Sequence, residues 1–254
     1  MDFSNKYVMG FAFAICMVCA GLVSSLAVAL KPKQDFNQEL YERRQVIRVS
    51  GIADKNAALP PEEVDELFKS IEGKVIDRKT GEYVDIPVAD VDPIRMAKDP
   101  EMSEASPKKA GKAAQVSRLP DQLVVYEVGI EGKECVVMPI YGKGLWSTMY
   151  GYLAVKRDSS EVVGIIYYQH GETPGLGGEI DNQKWQAAWV GKNVYRGAVG
   201  GMVGLGVVKK NAPRDEAFEV DGLSGATITT KGVDATMKLW LGPAGYGPYL
   251  EKLN

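Results

Sequence analysis

A run of 24 residues without a charged side chain, at residues 7–30 (YVMGFAFAICMVCAGLVSSLAVAL), constrains the fold of this chain more than any other feature. At about 1.5 Å per residue, a helix of that length exceeds the roughly 30 Å of hydrocarbon in a bilayer. A cleaved signal peptide is the alternative, but its apolar stretch usually has only about 7 to 15 residues before a small-residue cleavage site. Here KPK follows directly at residues 31–33. The sequence therefore predicts an amino-terminal tail at residues 1–6 and a transmembrane helix at 7–30.

The segment behind this run is charged. It contains QDFNQELYERRQVIR, and we predict a stalk helix at residues 31–50. Residues 51–254 then form one soluble domain, which is long enough for a single well-packed core. The net charge of −3 provides no basic surface for a phosphate backbone, so we expect no nucleic-acid partner.

Hydrophobic periodicity divides the soluble domain into helices and strands. Apolar residues on one helical face predict helices at 61–71 and 229–241, and NQKWQAAWV predicts a short helix at 182–190. The runs LVVYEVGI, ECVVMPI, GYLAVKR and EVVGIIYYQH predict two β-hairpins in one sheet. Residues 97–118 have almost no large apolar side chain, and we interpret them as a flexible surface insertion. The predicted class is α+β, an antiparallel sheet packed by helices.

The three cysteines do not indicate a metal site. Cys16 and Cys19 lie on neighbouring turns of the predicted membrane helix, and two ligands cannot close a tetrahedral site. Cys135 is the single cysteine of the soluble part and can form no disulfide within it. We predict no metal ligand, and the role of Cys16 and Cys19 stays open.

The segment DGLSGATITT, at residues 221–230, stands at the predicted start of the last helix. Amides of a first helical turn lack intrahelical partners and lie at the positive end of the helix dipole, so they favour an anion. Gly225 and Ala226 would let a ligand approach the backbone closely. The segment therefore predicts either an anion site or an ordinary helix N-cap.

A second segment, HGETPGLGGE at residues 170–179, directly follows a predicted strand. Its glycines argue against a regular helix or strand, and its proline favours a turn. Such a loop would present its backbone amides to a bound ligand. The segment could also be only a tight connection. His170 and Glu172 could act as general acids, but a single histidine beside a strand is more often structural.

A third segment, YGKGLWSTMYGY at residues 141–152, places Leu145 and Trp146 in a loop flanked by glycines. Such side chains suit the flat faces of a cofactor ring, and Ser147 and Thr148 add polar contacts. Core packing of Trp146 is the alternative interpretation.

The spacing Asp-x-x-Ser-Gly-Ala-Thr in the first segment resembles the motif on which bacterial flavin transferases attach FMN through its phosphate. The E-T-P-G-L-G loop is similar to a flavin-contacting loop of the FMN-binding subunits of the sodium-translocating NADH:quinone oxidoreductase and of the Rnf complex. GLWSTMYG and WLGPAGYGPYLEKL resemble the C-subunit family of the sodium-translocating enzyme, whereas the Rnf counterpart generally lacks both.

The resemblance implies a covalent FMN, esterified to Thr227, with Asp221 recognised by the flavin transferase during maturation. By position it also implies these flavin contacts: Ser224, Gly225, Ala226, Leu145, Trp146, Ser147, Thr148, Glu172, Thr173, Gly175 and Leu176. No G-x-G-x-x-G fingerprint follows a strand, so we expect no NADH site and no catalytic residue on this chain.

The family implies an electron-relay subunit of a NADH:ubiquinone reductase that couples electron transfer to Na⁺ export. FMN would take one electron from an iron centre in neighbouring membrane subunits and pass it to the next flavin. The family places the soluble domain in the periplasm, at the bacterial inner membrane. Lys6 and the amino terminus flank one end of the apolar run, whereas Lys31, Lys33, Arg43 and Arg44 flank the other. By the positive-inside rule, the larger number of basic residues after the run favours the opposite orientation, with the soluble domain in the cytoplasm. The alternatives are an Rnf-type ferredoxin:NAD oxidoreductase subunit and a flavin-free anchor or assembly protein.

Overall fold

The computed structural model describes residues 4–253, and internal contacts divide the chain into two units. The first unit ends at Arg43 and the second begins at Arg44. A single helix, α1 (Asn5–Val49), forms the first unit and the start of the second.

Helix α1 runs without interruption through the predicted membrane helix and the predicted stalk. Its most apolar window has a mean hydropathy of 2.4, and it is the one helix among residues 4–253 that is long and apolar enough to cross a membrane. Pro32 lies inside it and leaves one backbone carbonyl without its amide partner. In the charged part, ion pairs at i, i+4 spacing stabilise the helix, and Lys31 Nζ lies 2.7 Å from Asp35 Oδ1.

The second unit combines short helices with an antiparallel sheet. Its helices are α2 (Pro61–Phe68), α3 (Pro93–Met96), α4 (Lys108–Ala114), α5 (Gln183–Ala187), α6 (Thr227–Trp240) and α7 (Gly247–Leu253). The first five strands are β1 (Ile71–Asp77), β2 (Tyr83–Val84), β3 (Ser103–Ala105), β4 (Arg118–Pro120) and β5 (Gln122–Val128). The later strands are β6 (Cys135–Lys143), β7 (Thr148–Lys156), β8 (Val162–Gln169), β9 (Tyr195–Arg196), β10 (Met202–Val203), β11 (Gly206–Val208) and β12 (Glu219–Asp221).

The main sheet has six strands in the order β2-β1-β5-β6-β7-β8, and every neighbouring pair is antiparallel. Strands β5 with β6 and β7 with β8 are the two hairpins predicted from the sequence. The hairpin between β6 and β7 joins them, with Lys143 paired to Thr148 at its tip. The predicted class, an apolar amino-terminal helix followed by an α+β domain, is confirmed.

Helix α6 packs against the end of the β6–β7 hairpin. A Cβ atom on Gly232 would lie 2.2 Å from the Lys143 carbonyl oxygen, so only glycine permits this approach. One helical turn later the contact is reversed: the Thr236 side chain of α6 packs directly on Gly142 of the hairpin. Further along, the Trp240 indole donates to the Tyr141 carbonyl at 2.6 Å. The start of α6 therefore lies beside the hairpin tip at residues 144–147.

Residues 97–118 differ from the predicted flexible insertion, because they contain strand β3 and helix α4. Small side chains, rather than large apolar ones, make this packing possible. A Cβ on Gly111 would lie 2.3 Å from the Ser106 Cβ, and Ala114 is fully buried. The Arg118 guanidinium also donates to the Ser103 hydroxyl at 2.8 Å. Close backbone approach and hydrogen bonds thus order a segment whose composition alone indicates a loop.

The first predicted helix of the soluble domain ends earlier than expected. Its periodicity predicts a helix to residue 71, but α2 ends at Phe68 and Ile71 begins β1. Strand β1 pairs with β5 over its whole length, from Ile71 opposite Val128 onward. Backbone pairing to a distant strand decides this boundary, and local periodicity does not reveal it.

Candidate functional site

Three segments meet at the amino end of α6: the tip at residues 144–147, the loop at 170–178 and residues 221–227. A Cβ on Gly177 would lie 2.5 Å from the Thr229 hydroxyl oxygen, and one on Gly225 would lie 2.9 Å from a Leu176 methyl. Gly225 has a φ of +70°, a backbone conformation that residues with a side chain rarely adopt. The three segments singled out from the sequence therefore form one site.

Glu172 is the central polar residue of this site, and its side chain is only 5% exposed. One carboxylate oxygen, Oε1, accepts hydrogen bonds from the backbone amides of Trp146 at 2.9 Å and Ser147 at 3.1 Å. The other, Oε2, accepts from the Leu145 amide at 3.0 Å and from the Thr229 hydroxyl at 2.6 Å. The carboxylate thus ties the hairpin tip to α6.

These donors also determine the charge state of Glu172. Burial by itself raises the pKa of the carboxyl group, but the hydrogen bonds from Thr229 and from the tip amides oppose it. Together they hold the pKa of Glu172 below its ordinary value. The site therefore contains a fixed negative charge at neutral pH.

Helix α6 begins without a side-chain cap, because its N-cap residue is Ala226. Thr227, the first helical residue, is exposed. The other two threonines of the first turn, Thr229 and Thr230, are 1% and 7% exposed. The Thr229 hydroxyl is bound to Glu172, and the Thr230 hydroxyl accepts the Leu223 amide at 3.1 Å. Thr227 is therefore the available hydroxyl at the positive end of this helix.

A cavity of about 240 Å³ opens in front of the start of α6. Four apolar side chains on its wall are partly exposed: Leu145 at 45%, Trp146 at 66%, Leu176 at 44% and Ile228 at 52%. The rest of the wall is formed by Glu172, Thr173, Gly177, Gly225, Ala226, Thr227 and Thr229. Apolar side chains exposed around a helix start that favours anions suit a ligand with a flat ring and a phosphate.

Two cations lie beside the segment that precedes α6. The Lys210 ammonium donates to the Ser224 hydroxyl at 2.7 Å, three residues before Thr227. The Arg214 guanidinium forms an ion pair with Asp221 and lowers the pKa of that carboxyl group. Neither Lys210 nor Arg214 is predicted from the sequence, and no pattern indicates them, because the loop at residues 209–218 between the parallel strands β11 and β12 brings them here.

Some residues predicted as flavin contacts lie outside the cavity wall. They are Ser147, Thr148, Gly175 and Ser224. The Ser147 hydroxyl accepts the Gly171 amide at 2.6 Å and so joins the tip to the loop. Conversely, Gly177, Ile228 and Thr229 line the wall without having been predicted as flavin contacts. Ile228 and Thr229 directly follow Thr227 in the first turn of α6, and this adjacency could have indicated them.

Both ring nitrogens of His170 form hydrogen bonds within the protein, so its role here is structural. Its Nδ1 accepts the Glu172 amide at 3.1 Å, so Nε2 carries the proton and donates to Asp181 at 2.7 Å. The ring thereby fixes the start of the loop.

Within residues 4–253 there is no group of three or more histidine, cysteine or acidic side chains that could hold a metal.

Comparison with known proteins gives consistent results. The family model described as FMN-binding domain matches residues 144–242. The chain is 41% identical to the C subunit of the Na(+)-translocating NADH-quinone reductase of Pseudomonas aeruginosa, covering 96% of this chain and 94% of that protein. Identity to the C subunit of the same reductase from Haemophilus ducreyi is 42%, covering 94% and 91%.

A solved structure with the same arrangement is the crystal structure of Shewanella oneidensis NqrC. It has a TM-score of 0.73 and 32% sequence identity, and the match covers 85% of this chain and 98% of that chain. The crystal structure of the C subunit of the Na(+)-translocating NADH-quinone reductase from Parabacteroides distasonis has a TM-score of 0.66 at 24% identity, which supports the fold alone.

Proposed function

This chain belongs to the family of the C subunit of the Na(+)-translocating NADH-quinone reductase, and from that membership we propose that it relays electrons through an FMN esterified to Thr227. The electron-transfer role in a Na⁺-translocating NADH:quinone reductase follows from the family. The attachment residue, the flavin contacts, the partners and the orientation are our proposals.

The observation that carries the attachment proposal is the contrast among the three threonines of the first turn of α6. An acceptor of a phosphoester must present a free hydroxyl to the transferase. Thr227 is exposed, whereas Thr229 and Thr230 are buried and hydrogen-bonded. The uncapped first turn favours the negative charge of a phosphodiester at this point.

The residues around Thr227 fit the two parts of FMN. Gly225 and Ala226 leave room for the phosphate beside the backbone, and Lys210 with Ser224 provides a positive charge and a hydroxyl nearby. The isoalloxazine ring would pack on the apolar wall formed by Leu145, Trp146, Leu176 and Ile228. Thr173 and Gly175 belong to the loop that closes this wall.

FMN supplies the redox chemistry when it is bound, and the protein's task is to hold and orient it. The four side chains of the apolar wall are each 44–66% exposed, so the site is open to its surroundings. An open site suits electron exchange with other proteins. We propose that these are the neighbouring flavin and iron subunits of the reductase, and that a flavin transferase recognises Asp221 during maturation.

Substitution of Thr227 by valine tests the attachment. The full-length chain is produced together with a flavin transferase, and intact mass and fluorescence in a denaturing gel are measured. We expect Thr227→Val to lack the FMN mass and the fluorescent band, because it removes only an exposed hydroxyl. Thr236→Val, which changes a buried threonine elsewhere on α6, is the control and should keep both. Covalent FMN in Thr227→Val would refute the assignment.

The wild-type chain in the same gel tests the alternative from a different class, a flavin-free anchor or assembly protein. A fluorescent band is expected. A folded wild-type chain that carries no FMN mass in the presence of the transferase would favour that alternative.

We propose that α1 anchors the chain in the bacterial inner membrane with the soluble domain in the periplasm. Covalent attachment is useful there, because a dissociated FMN could not be replaced outside the cytoplasm. Basic residues on both sides of the apolar run make the positive-inside rule a weak guide. Alkaline phosphatase fused to the carboxyl terminus should be active, and an inactive fusion with normal expression would reverse the orientation.

A further inference from the structure

The arrangement around Glu172 indicates a role other than direct contact with a ligand. Its two carboxylate oxygens accept four hydrogen bonds from the protein itself, three from backbone amides and one from the Thr229 hydroxyl. Three successive amides that converge on one point form an anion-binding concavity. Here the chain fills that concavity with its own carboxylate.

The backbone of two glycines closely approaches this carboxylate. A Cβ on Gly144 would lie 2.6 Å from the Glu172 carboxyl carbon, and one on Gly177 would lie 2.8 Å from its Oε2. Glycine at both positions lets the hairpin tip and the loop close around the carboxylate. This close approach and the four hydrogen bonds hold the carboxylate between the tip and α6 without any contact from a ligand.

The two ends of this link have different functions in the proposed site. At one end are Leu145 and Trp146, whose side chains form much of the apolar wall and whose amides bind the carboxylate. At the other end is Thr229, two residues after the attachment position on the same helical turn. The Glu172–Thr229 hydrogen bond is the side-chain connection between the ring wall and the phosphate anchor.

We propose that Glu172 and Thr229 are positioning residues, which hold the wall that faces the flavin ring in register with the attachment helix. This inference rests on the proposed function at Thr227. The pair contributes no atom to the phosphoester bond, so its loss should leave attachment intact and change the environment of the ring.

Three variants of the full-length chain, each produced with the flavin transferase, test this pairing. Thr229→Val removes the hydroxyl at nearly constant volume, Thr229→Ser retains it, and Thr236→Val is a matched control, since its buried hydroxyl bonds only within α6. Intact mass and peptide mapping report attachment. Visible circular dichroism and the flavin midpoint potential report the position and surroundings of the ring.

We expect Thr229→Val to carry FMN on the Thr227 peptide with a loss of visible dichroism intensity and a shifted potential. Thr229→Ser and Thr236→Val should match the wild type in both. A dichroism spectrum and potential of Thr229→Val equal to those of the wild type would overturn the inference. So would loss of FMN from a folded Thr229→Val, because that would give Thr229 a part in attachment.

Glu172→Gln provides a second measurement, which decides the question if Thr229→Val does not fold. It removes a negative charge from the wall of the site, and that charge opposes electron uptake by a nearby ring. It also replaces one carboxylate oxygen by an NH₂ group that cannot accept hydrogen bonds from the tip amides. We expect attachment to be retained, the midpoint potential to become more positive and the visible dichroism to lose intensity. Visible dichroism equal to that of the wild type would overturn the inference. Absence of FMN from the wild-type chain would instead refute the proposed function, so the two failures are distinguishable.

Discussion

Replacement of Glu172 by alanine should destabilise the second unit strongly, even without flavin. The side chain accepts four hydrogen bonds, and each bond to a charged group contributes about 1.5–3 kcal/mol when fully buried. Leu145 and Trp146 are partly exposed, so water can reach their amides once the carboxylate is gone. We therefore reduce the contribution to roughly 1 kcal/mol per bond, which gives about 3–4 kcal/mol in total.

This loss is a large part of the roughly 5–15 kcal/mol that stabilises a typical domain. The assay is thermal unfolding of the flavin-free full-length chain in detergent, followed by near-ultraviolet circular dichroism. For a domain of this size we expect the midpoint to fall by about 6–16 °C. Glu131→Ala, which changes an exposed glutamate in the β5–β6 turn, is the control and should stay within about 0.5 kcal/mol of the wild type.

The same effect has a defined pH dependence. The pKa of Glu172 is lower in the folded chain than its ordinary value, so the ionised carboxylate stabilises the fold at neutral pH. That contribution is lost as the pH falls through the folded pKa, below the ordinary value of about 4.3. The difference between the wild type and Glu172→Ala should therefore narrow in acid. A loss below about 1 kcal/mol at neutral pH, or a difference that is unchanged at low pH, would refute the reasoning.

Two further substitutions probe other contacts of the domain. Tyr249→Phe removes a hydroxyl that donates to the buried Glu127 carboxylate at 2.6 Å. Urea unfolding should show that the free energy of unfolding falls by about 1.5–2 kcal/mol, and an unchanged midpoint would contradict the importance of this bond. Gly177→Ala places a methyl group 2.5 Å from the Thr229 hydroxyl oxygen, so we expect a loss of about 1–3 kcal/mol, whereas Gly129→Ala, with no atom near its Cβ position, should have a much smaller effect.

Much of the fold could be predicted because its determinants are local. The apolar run, the alternating strands and helix α6 are each encoded within about 25 residues of sequence, whereas α7, which follows α6, is not predicted. Both predicted hairpins and the α+β class are confirmed. The family resemblance, inferred from four short motifs, is confirmed by relatives that match over nearly the whole chain.

The errors have a common physical origin. The composition of residues 97–118 predicts irregular structure, yet Gly111 and Ala114 permit a close approach that small side chains favour. Strand β1 is missing from the sequence-based prediction, because its pairing with β5 joins residues about fifty positions apart. Patterns within a short window contain no information on such contacts.

Local sequence patterns are sufficient to predict an apolar helix long enough for a membrane, a hairpin-rich domain and a helix start that favours an anion. Which threonine at that start is exposed, and what Glu172 binds, depend on how the chain packs. The bond between Glu172 and Thr229 joins residues 57 positions apart, and the Lys210 contact to Ser224 depends on the loop between β11 and β12. Exposure and hydrogen-bond partners are properties of the packed chain, since they depend on residues that only folding brings together.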